Sequence, residues 1–290
     1  MSPIEIPMKI SVIIVNWNTR EVTSAAIASV FAETKVPLEV IVVDNGSSDG
    51  SADFLRERHR LATLIETGRN GGFSFGNNIG LAAAKGEYLM LLNSDTLVRD
   101  GALDRMAAFL DENPSYGLVG PRLTFPDGKF QETSCRNLPR LANSFFYLLG
   151  LERLRMAFGG APYRAACADP LASQDAEALS GAAIMLRRSV YEKIGGLDER
   201  FFMYGEDLDF CKRAHDAGFG IRYLGDAHIV HLGGESSAKR KSASIGNFYD
   251  AARLYYEKHE APGHAVPVNL AVRIGIGIVR ASALVRNLFR

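Results

Sequence analysis

The chain has 290 residues, and its 33 Lys and Arg are balanced by 33 Asp and Glu, so the formal net charge is zero. That balance excludes a general nucleic-acid binder, which needs a strong basic excess to hold phosphates. Cys135, Cys167 and Cys211 are far apart, odd in number and form no C-x-x-C pair, which argues against a zinc knuckle or disulfide framework and suits a reducing compartment.

Residues 1–7 contain Glu5 and two prolines, without the basic start and long apolar run of a signal peptide. No run approaches the roughly 18 apolar residues of a membrane span. A cytoplasmic protein is expected.

Residues 10–15 form a β-branched run, read as a buried strand. A helix capped by Thr19 follows, to about residue 32. A second buried strand covers 38–43 and ends in Asp44-Asn45-Gly46-Ser47-Ser48-Asp49-Gly50. A helix over 51–60 and a short strand over 61–65 complete a β-α-β-α-β unit, the pattern of a parallel sheet with right-handed crossovers. Four glycines make 68–76 a loop, and 77–85 a helix.

The stretch Glu87-Tyr88-Leu89-Met90-Leu91-Leu92-Asn93-Ser94-Asp95-Thr96 is a buried strand that turns polar at its carboxyl end. Sheets covered on both faces read this way, and they bind ligands beyond the carboxyl ends of their strands. Asp95 is either a ligand-binding carboxylate or the cap of a following helix, and the stretch alone leaves both open. Further on come a helix over 100–113, a strand over 117–120, and a turn at Pro126-Asp127-Gly128 between 123–125 and 129–131. The alternation lapses from Cys135 to about Pro170, where an aromatic cluster (145–149) stands. It resumes with a strand over 178–186, helices over 189–194 and 206–217, and short strands over 221–224 and 227–230. Residues 233–244 are small, polar and basic, and 247–259 are helical.

Chemistry concentrates at four places. Asp44 and Asp95 each stand at a strand end, and an acid at the second strand often meets a ribose or base. The chain has neither G-x-G-x-x-G after strand one nor a P-loop, so a bound diphosphate would need another counter-charge, such as a cation on Asp95. The third place is Gly205-Glu206-Asp207-Leu208-Asp209. Its acids favour a helix N-terminus, and three within four residues exceed what capping requires. A carboxylate in such an aromatic-lined cleft can be a general base. The fourth is His228-Ile229-Val230-His231. The two histidines face opposite ways on a strand, so they do not share a metal. His231 is the better ligand candidate and His228 reads as structural.

Taken in order, these motifs resemble family 2 glycosyltransferases of the GT-A fold, in particular the bacterial rhamnosyltransferase-like branch. The matching residues are Ser11-Val12-Ile13-Ile14-Val15-Asn16-Trp17-Asn18, Val42-Val43-Asp44-Asn45-Gly46-Ser47-Ser48-Asp49-Gly50-Ser51, Asn70-Gly71-Gly72-Phe73, Leu92-Asn93-Ser94-Asp95-Thr96, Gly205-Glu206-Asp207-Leu208-Asp209 and His231, spanning about residues 9 to 235. The resemblance implies an α/β protein with a mostly parallel, Rossmann-like sheet flanked by helices and a C-terminal helical extension. It implies a catalytic domain over 1–235 (donor half about 9–120, acceptor half about 121–235), followed by a mobile loop and helices over 236–290.

By the same resemblance the activity is inverting transfer of a sugar, rhamnose among the candidates, from a nucleoside-diphosphate sugar to a hydroxyl of a glycan or polyprenyl-linked acceptor. Asn16, Asp44, Asn70 and Asn93 would line the donor pocket with Asp95. Asp95 and His231 would hold Mg²⁺ or Mn²⁺ on the diphosphate. Asp207 would be the base, with Glu206 positioning acceptor or sugar. Arg213 matches the basic residue that often ends the Glu-Asp motif. Asn93 replaces the first acid of the family's D-x-D, which leaves fewer charged metal ligands.

A loop over 233–244 that closes on the donor would bring Lys239 or Arg240 to the diphosphate; a solvated linker is the alternative. The segment 267–290 has four arginines and no acid. It reads either as a helix on the inner membrane surface or as one packed on the body or on another subunit of an oligomer. Two rivals stand beside the transferase. A sugar-nucleotidyltransferase would carry a G-x-G-T-R-type loop where Asn16-Trp17-Asn18-Thr19-Arg20 stands, and a non-catalytic sugar-binding module would not need the acids retained here.

Overall fold

Apolar runs with no polar alternation leave a strand no face for water, so such strands must lie between two helical layers. In the computed structural model, residues 8–141, 143–144, 151, 157, 167, 169–233 and 241–288 are described. Strands β1 (Ile10–Asn16), β2 (Leu38–Asp44), β3 (Thr63–Glu66) and β4 (Tyr88–Asn93) alternate with helices α1 (Arg20–Glu33), α2 (Ser51–Arg58) and α3 (Phe73–Ala83). Then come β5 (Thr96–Arg99), α4 (Ala102–Glu112), β6 (Tyr116–Thr124), β7 (Cys135–Arg136), β8 (Gln174–Asp175), β9 (Ala178–Leu179) and β10 (Ala183–Arg187). The remainder is α5 (Arg188–Ile194), α6 (Glu206–Asp216), β11 (Gly220–His231), α7 (Lys241–Tyr255) and α8 (Val266–Leu288).

One sheet runs β3-β2-β1-β4-β10-β6-β11-β5, with β8 against β11, and β7 and β9 form a separate small ribbon. Strands β3, β2, β1 and β4 are parallel, whereas β10 is antiparallel to β4 and β6, and β5 to β11. Alternate residues feed two cores. Ile13, Ile41, Leu89 and Leu91 pack with Leu81 and Phe210 on one side, and Val12, Ile14, Val40 and Met90 with Ile27 and Leu103 on the other.

Several expectations needed correction. Residues 96–99 are a strand, β5, so Asp95 caps no helix. Their pairing with β11 sets His231 opposite Thr96, beside Asp95. Helix α3 starts at Phe73 inside the expected glycine loop. Gly76 and Gly80 serve close packing there, since a Cβ would meet Val15 at 2.7 Å and Ile13 at 2.3 Å. The strand expected over 178–186 breaks into β9 and β10 at Ser180-Gly181-Ala182, and the two short strands over 221–230 are one strand with an irregularity between Leu224 and His228. All three cysteines are free and buried. The cluster over 145–149 lies outside the described residues, as do most of the segment from Cys135 to Pro170 and Lys239 and Arg240 of the basic loop.

The C-terminus also departs from expectation. Val266–Asn287 is long and apolar enough to cross a membrane, with mean hydropathy 1.6, because Ile, Val and Leu outweigh its few arginines. It is nevertheless laid along α7, tied by Arg280–Asp250 (2.7 Å) and Arg273–Glu257 (3.2 Å).

Candidate active site

The strand order puts the carboxyl ends of β2, β1 and β4 side by side. Asn16 and Asp44 are register partners. Asp44 is buried and accepts hydrogen bonds from Asn16 Nδ2 (2.7 Å) and the Ser47 amide (3.0 Å). Asn16 is wholly buried; its Oδ1 accepts from Thr23 Oγ1 (2.7 Å) and Thr19 Oγ1 (3.1 Å). Asn16 therefore orients Asp44 from behind. Asn70 joins a network that sequence reasoning left without a role for Asn45. Asn45 Nδ2 donates to Gly72 O (2.9 Å) and Asn70 Oδ1 (3.2 Å), and Asn70 Oδ1 accepts from the Gly72 amide (3.0 Å). Gly46 makes the close turn between them: φ is +72°, and a Cβ would lie 2.6 Å from Arg69 backbone.

The β4 end adds Asn93, Ser94 and Asp95, with Ser94 Oγ and Thr19 Oγ1 3.4 Å apart. Asp95 Oδ1 lies 3.3 Å from His231 Nε2. Behind the histidine stands Gln131, another residue missed from sequence. Its Nε2 donates to His231 O (2.7 Å), which turns its Oε1 toward His231 Nδ1 (2.8 Å). Nδ1 must therefore carry the proton. A charged His231 pairs with Asp95 through Nε2, and a neutral one directs a lone pair there.

That arrangement fits a divalent cation. A ligating histidine commonly has its other nitrogen held by a hydrogen-bond acceptor, and Asn93 Oδ1 is buried with no hydrogen-bond partner among the described residues. No group of three or more His, Cys, Asp or Glu among the described residues could hold a metal. A cation would take its remaining ligands from phosphate and water, as Mg²⁺ commonly does.

The third part is the first turn of α6. Tyr204 (φ +72°) and Gly205 (φ +79°) adopt left-handed backbone that swings the chain into the helix. Asp207 Oδ2 accepts from the Gly181 amide (2.9 Å) and pairs with Arg136, while Oδ1 accepts from the Leu208 amide (2.8 Å). The β9–β10 break thus supplies a donor to the site. Arg136 also donates to Leu179 O (2.9 Å); as an isolated arginine it gave no sequence signal. Glu206 is 6% exposed and its Oε2 has no hydrogen-bond partner among the described residues. Burial, helped by the charge of Asp207, pushes its carboxyl up to about 8. Glu206 is therefore largely protonated at neutral pH.

Asn93, Arg136, Glu206, Asp207 and His231 all line one cavity of about 700 Å³. Asp44, Asn16 and Asn70 form the neighbouring cluster over β1 and β2. Arg213 lies outside the cavity, where it pairs with Asp209 (2.8 Å) and donates to Ile194 O and Gly196 O. His228 is structural, bonded to Thr124 Oγ1 at 3.0 Å. Asp209 is fully buried and receives Lys258 (2.6 Å) and His259 (2.7 Å) from the turn after α7. Burial alone would raise its carboxyl, but His259, Lys258 and Arg213 hold it below its ordinary value.

Residues 11–195 match the sequence model of Glycosyl transferase family 2. The chain belongs to that family. Residues 162–233 of this family 2 chain also match the N-terminal domain of galactosyltransferase. It is 27% identical over 276 residues to the N-acetylglucosaminyl-diphospho-decaprenol L-rhamnosyltransferase of Mycobacterium tuberculosis, covering 91% of this chain and 89% of that one. It is 24% identical over 242 residues to the dTDP-rhamnosyl transferase RfbF of Shigella flexneri, covering 81% and 74%. Among solved structures it resembles the mannosyltransferase PcManGT of Pyrobaculum calidifontis in complex with GDP-Man and Mn²⁺, with TM-score 0.60, 20% identity and coverage of 95% and 72%. It resembles S. aureus TarS 1-349 with TM-score 0.57 and 21% identity; 86% of this chain spans 64% of that one. The fold is thus of GT-A type, and this family 2 chain is a rhamnosyltransferase-like glycosyltransferase.

Proposed function

We propose that the enzyme is an inverting glycosyltransferase that moves a hexose from a nucleoside-diphosphate sugar to a hydroxyl of a lipid-linked glycan acceptor. The observation that carries this reading is the shared cavity, which collects Asp207, Glu206, Asn93 and His231, with Asp95 3.3 Å from His231. Asp44 and Asn70 are suited to the nucleoside. Asp95 and His231 would hold a divalent cation at the diphosphate, where it supplies charge neutralisation when bound.

Asp207 takes the proton as the acceptor oxygen attacks the anomeric carbon and the nucleoside diphosphate departs from the opposite face. Arg136 and the Gly181 amide fix the direction of the Asp207 carboxylate. Protonated Glu206 adds no second negative charge beside it and can donate a hydrogen bond to sugar or acceptor. One displacement inverts the anomeric centre.

The names of the two rhamnosyltransferase relatives make dTDP-rhamnose the first donor to test. A ligand that binds only the folded state raises its apparent stability with its affinity. A thermal-shift panel of dTDP-rhamnose, UDP-glucose, UDP-galactose and GDP-mannose with Mn²⁺ should show one selective stabiliser, and that compound should support transfer. No shift with any nucleotide-sugar, in protein that unfolds cooperatively, would overturn the reading.

A further inference from the structure

The cavity that holds Asp207 is larger and more apolar than a hexose and a diphosphate require. Beyond the acids it continues between the last two helices, lined by Phe248, Ala251 and Tyr255 of α7 and by Val272, Gly275 and Val279 of α8. These side chains offer little to a nucleotide or a sugar hydroxyl. They suit a hydrocarbon chain. Small residues alternate with rings along this wall, which leaves room for a chain with methyl branches.

The outer side of α8 is apolar as well. Leu270, Ile274 and Ile278 recur at four-residue spacing and are 56%, 54% and 63% exposed. One long face of the helix therefore walls the cavity while another lies bare. A bare apolar face on a basic helix is a membrane-surface feature. Its ties to Asp250 of α7 and to Glu257 just beyond α7 keep it lying on the body.

We propose that the α7–α8 end of the cavity binds the polyprenyl chain of a lipid-linked acceptor and leads it from the membrane surface to Asp207. The inference rests on the glycosyltransferase reading. It adds the chemistry and location of the acceptor subsite: isoprenoid at α7 and α8, sugar hydroxyl at α6.

The test uses the full chain and farnesyl diphosphate as probe, with inorganic diphosphate and dodecyl phosphate as controls. Farnesyl diphosphate should bind and raise the melting temperature, inorganic diphosphate should not, and dodecyl phosphate should bind more weakly. A Cβ on Gly275 meets nothing within 4 Å, so Gly275→Phe places a ring in open channel, and it replaces a helical glycine with a better helix former. It should weaken farnesyl diphosphate binding by about tenfold or more, since displaced methylenes are each worth a severalfold factor. Nucleotide-sugar affinity should stay within about twofold, since Asp44 and Asp95 are not among the residues that line the cavity with Gly275. A benzophenone-bearing farnesyl diphosphate on wild-type protein should crosslink to peptides from 241–256 or 266–288.

Equal farnesyl diphosphate binding by wild type and Gly275→Phe, or crosslinks confined to other segments, would overturn the location. Dodecyl phosphate binding as tightly as farnesyl diphosphate would overturn the polyprenyl assignment. Nucleotide-sugar binding without farnesyl diphosphate binding would sink this inference alone. Farnesyl diphosphate binding without nucleotide-sugar binding would leave it standing and remove the transferase reading.

Discussion

The strand ends of the sheet and the C-terminal helix pair are built in opposite ways. At the ends of β1, β2 and β4, buried polar side chains are organised: Asn16 is bound to Asp44, Asn45 to Asn70, and His231 to Gln131 and Asp95. At α7 and α8 the cavity wall is carbon, and polar ties lie at its margins, Asp209 with Lys258 and His259 and Asp250 with Arg280. A polar ligand is selected by donors and acceptors that cannot move far, and an apolar one by shape and exclusion of water. One enzyme holding both regions against one carboxylate is equipped for a polar donor and an acceptor with an apolar part.

The contrast can be broken most sharply at that carboxylate. Asp207→Asn is nearly isosteric but cannot accept the proton as a carboxylate does. Transfer should fall by about 10³-fold, with donor affinity by calorimetry nearly unchanged; a variant with full activity would remove Asp207 as base. Next in size is the latch between the regions. Asp209→Ala removes the carboxylate shared by Lys258, His259 and Arg213, and loss of one partner of a buried ion pair costs about 3–5 kcal/mol. Urea denaturation should show that loss, and protease should cut near 256–263 faster than in wild type.

Glu206 gives a pH signature. Its proton is held more tightly folded than unfolded, so on its account stability falls as pH rises from 4.5 to about 8 and levels beyond. Glu206→Gln should flatten that slope and gain up to about 4 kcal/mol relative to wild type at pH 9, read from denaturant midpoints across pH. A parallel pH dependence in both proteins would show Glu206 ionised in the fold. The smallest effect belongs to Gln131. Gln131→Ala frees the ring of His231 and should weaken Mn²⁺ binding in the presence of nucleoside diphosphate by about tenfold. Electron paramagnetic resonance of free Mn²⁺ would measure it, and unchanged affinity would exclude His231 as a ligand.

The polar half was largely legible in the sequence because strand ends announce themselves. Apolar runs stop abruptly at Asn16, Asp44 and Asn93, and the acids there have few structural duties. The residues that complete the site carry no such mark. Gln131 follows a surface turn, Arg136 belongs to a two-residue strand, and the Gly181 amide exists as a donor only because a strand breaks there. Each is brought in by pairing between segments tens of residues apart, which local pattern does not encode. Four-residue β5 was too short to show a period, and Gly76 misled because glycine serves both loops and tight helix–strand contacts. In α8 the arginines drew attention to a surface role. That a second face walls a cavity follows only from its position on α7.

Order of synthesis gives the Asp209 latch a further consequence. A ribosome completes Asp44, Asp95, Asp207 and His231 before it makes any residue of α7 or α8. Until Lys258 and His259 emerge, Asp209 lacks two of its three cationic partners, and the cavity lacks the wall that α7 and α8 supply. The polar and apolar halves of the site therefore come into being one after the other. A chain stopped at residue 240 would carry each acid of the site but none of the side chains that α7 and α8 add to the cavity.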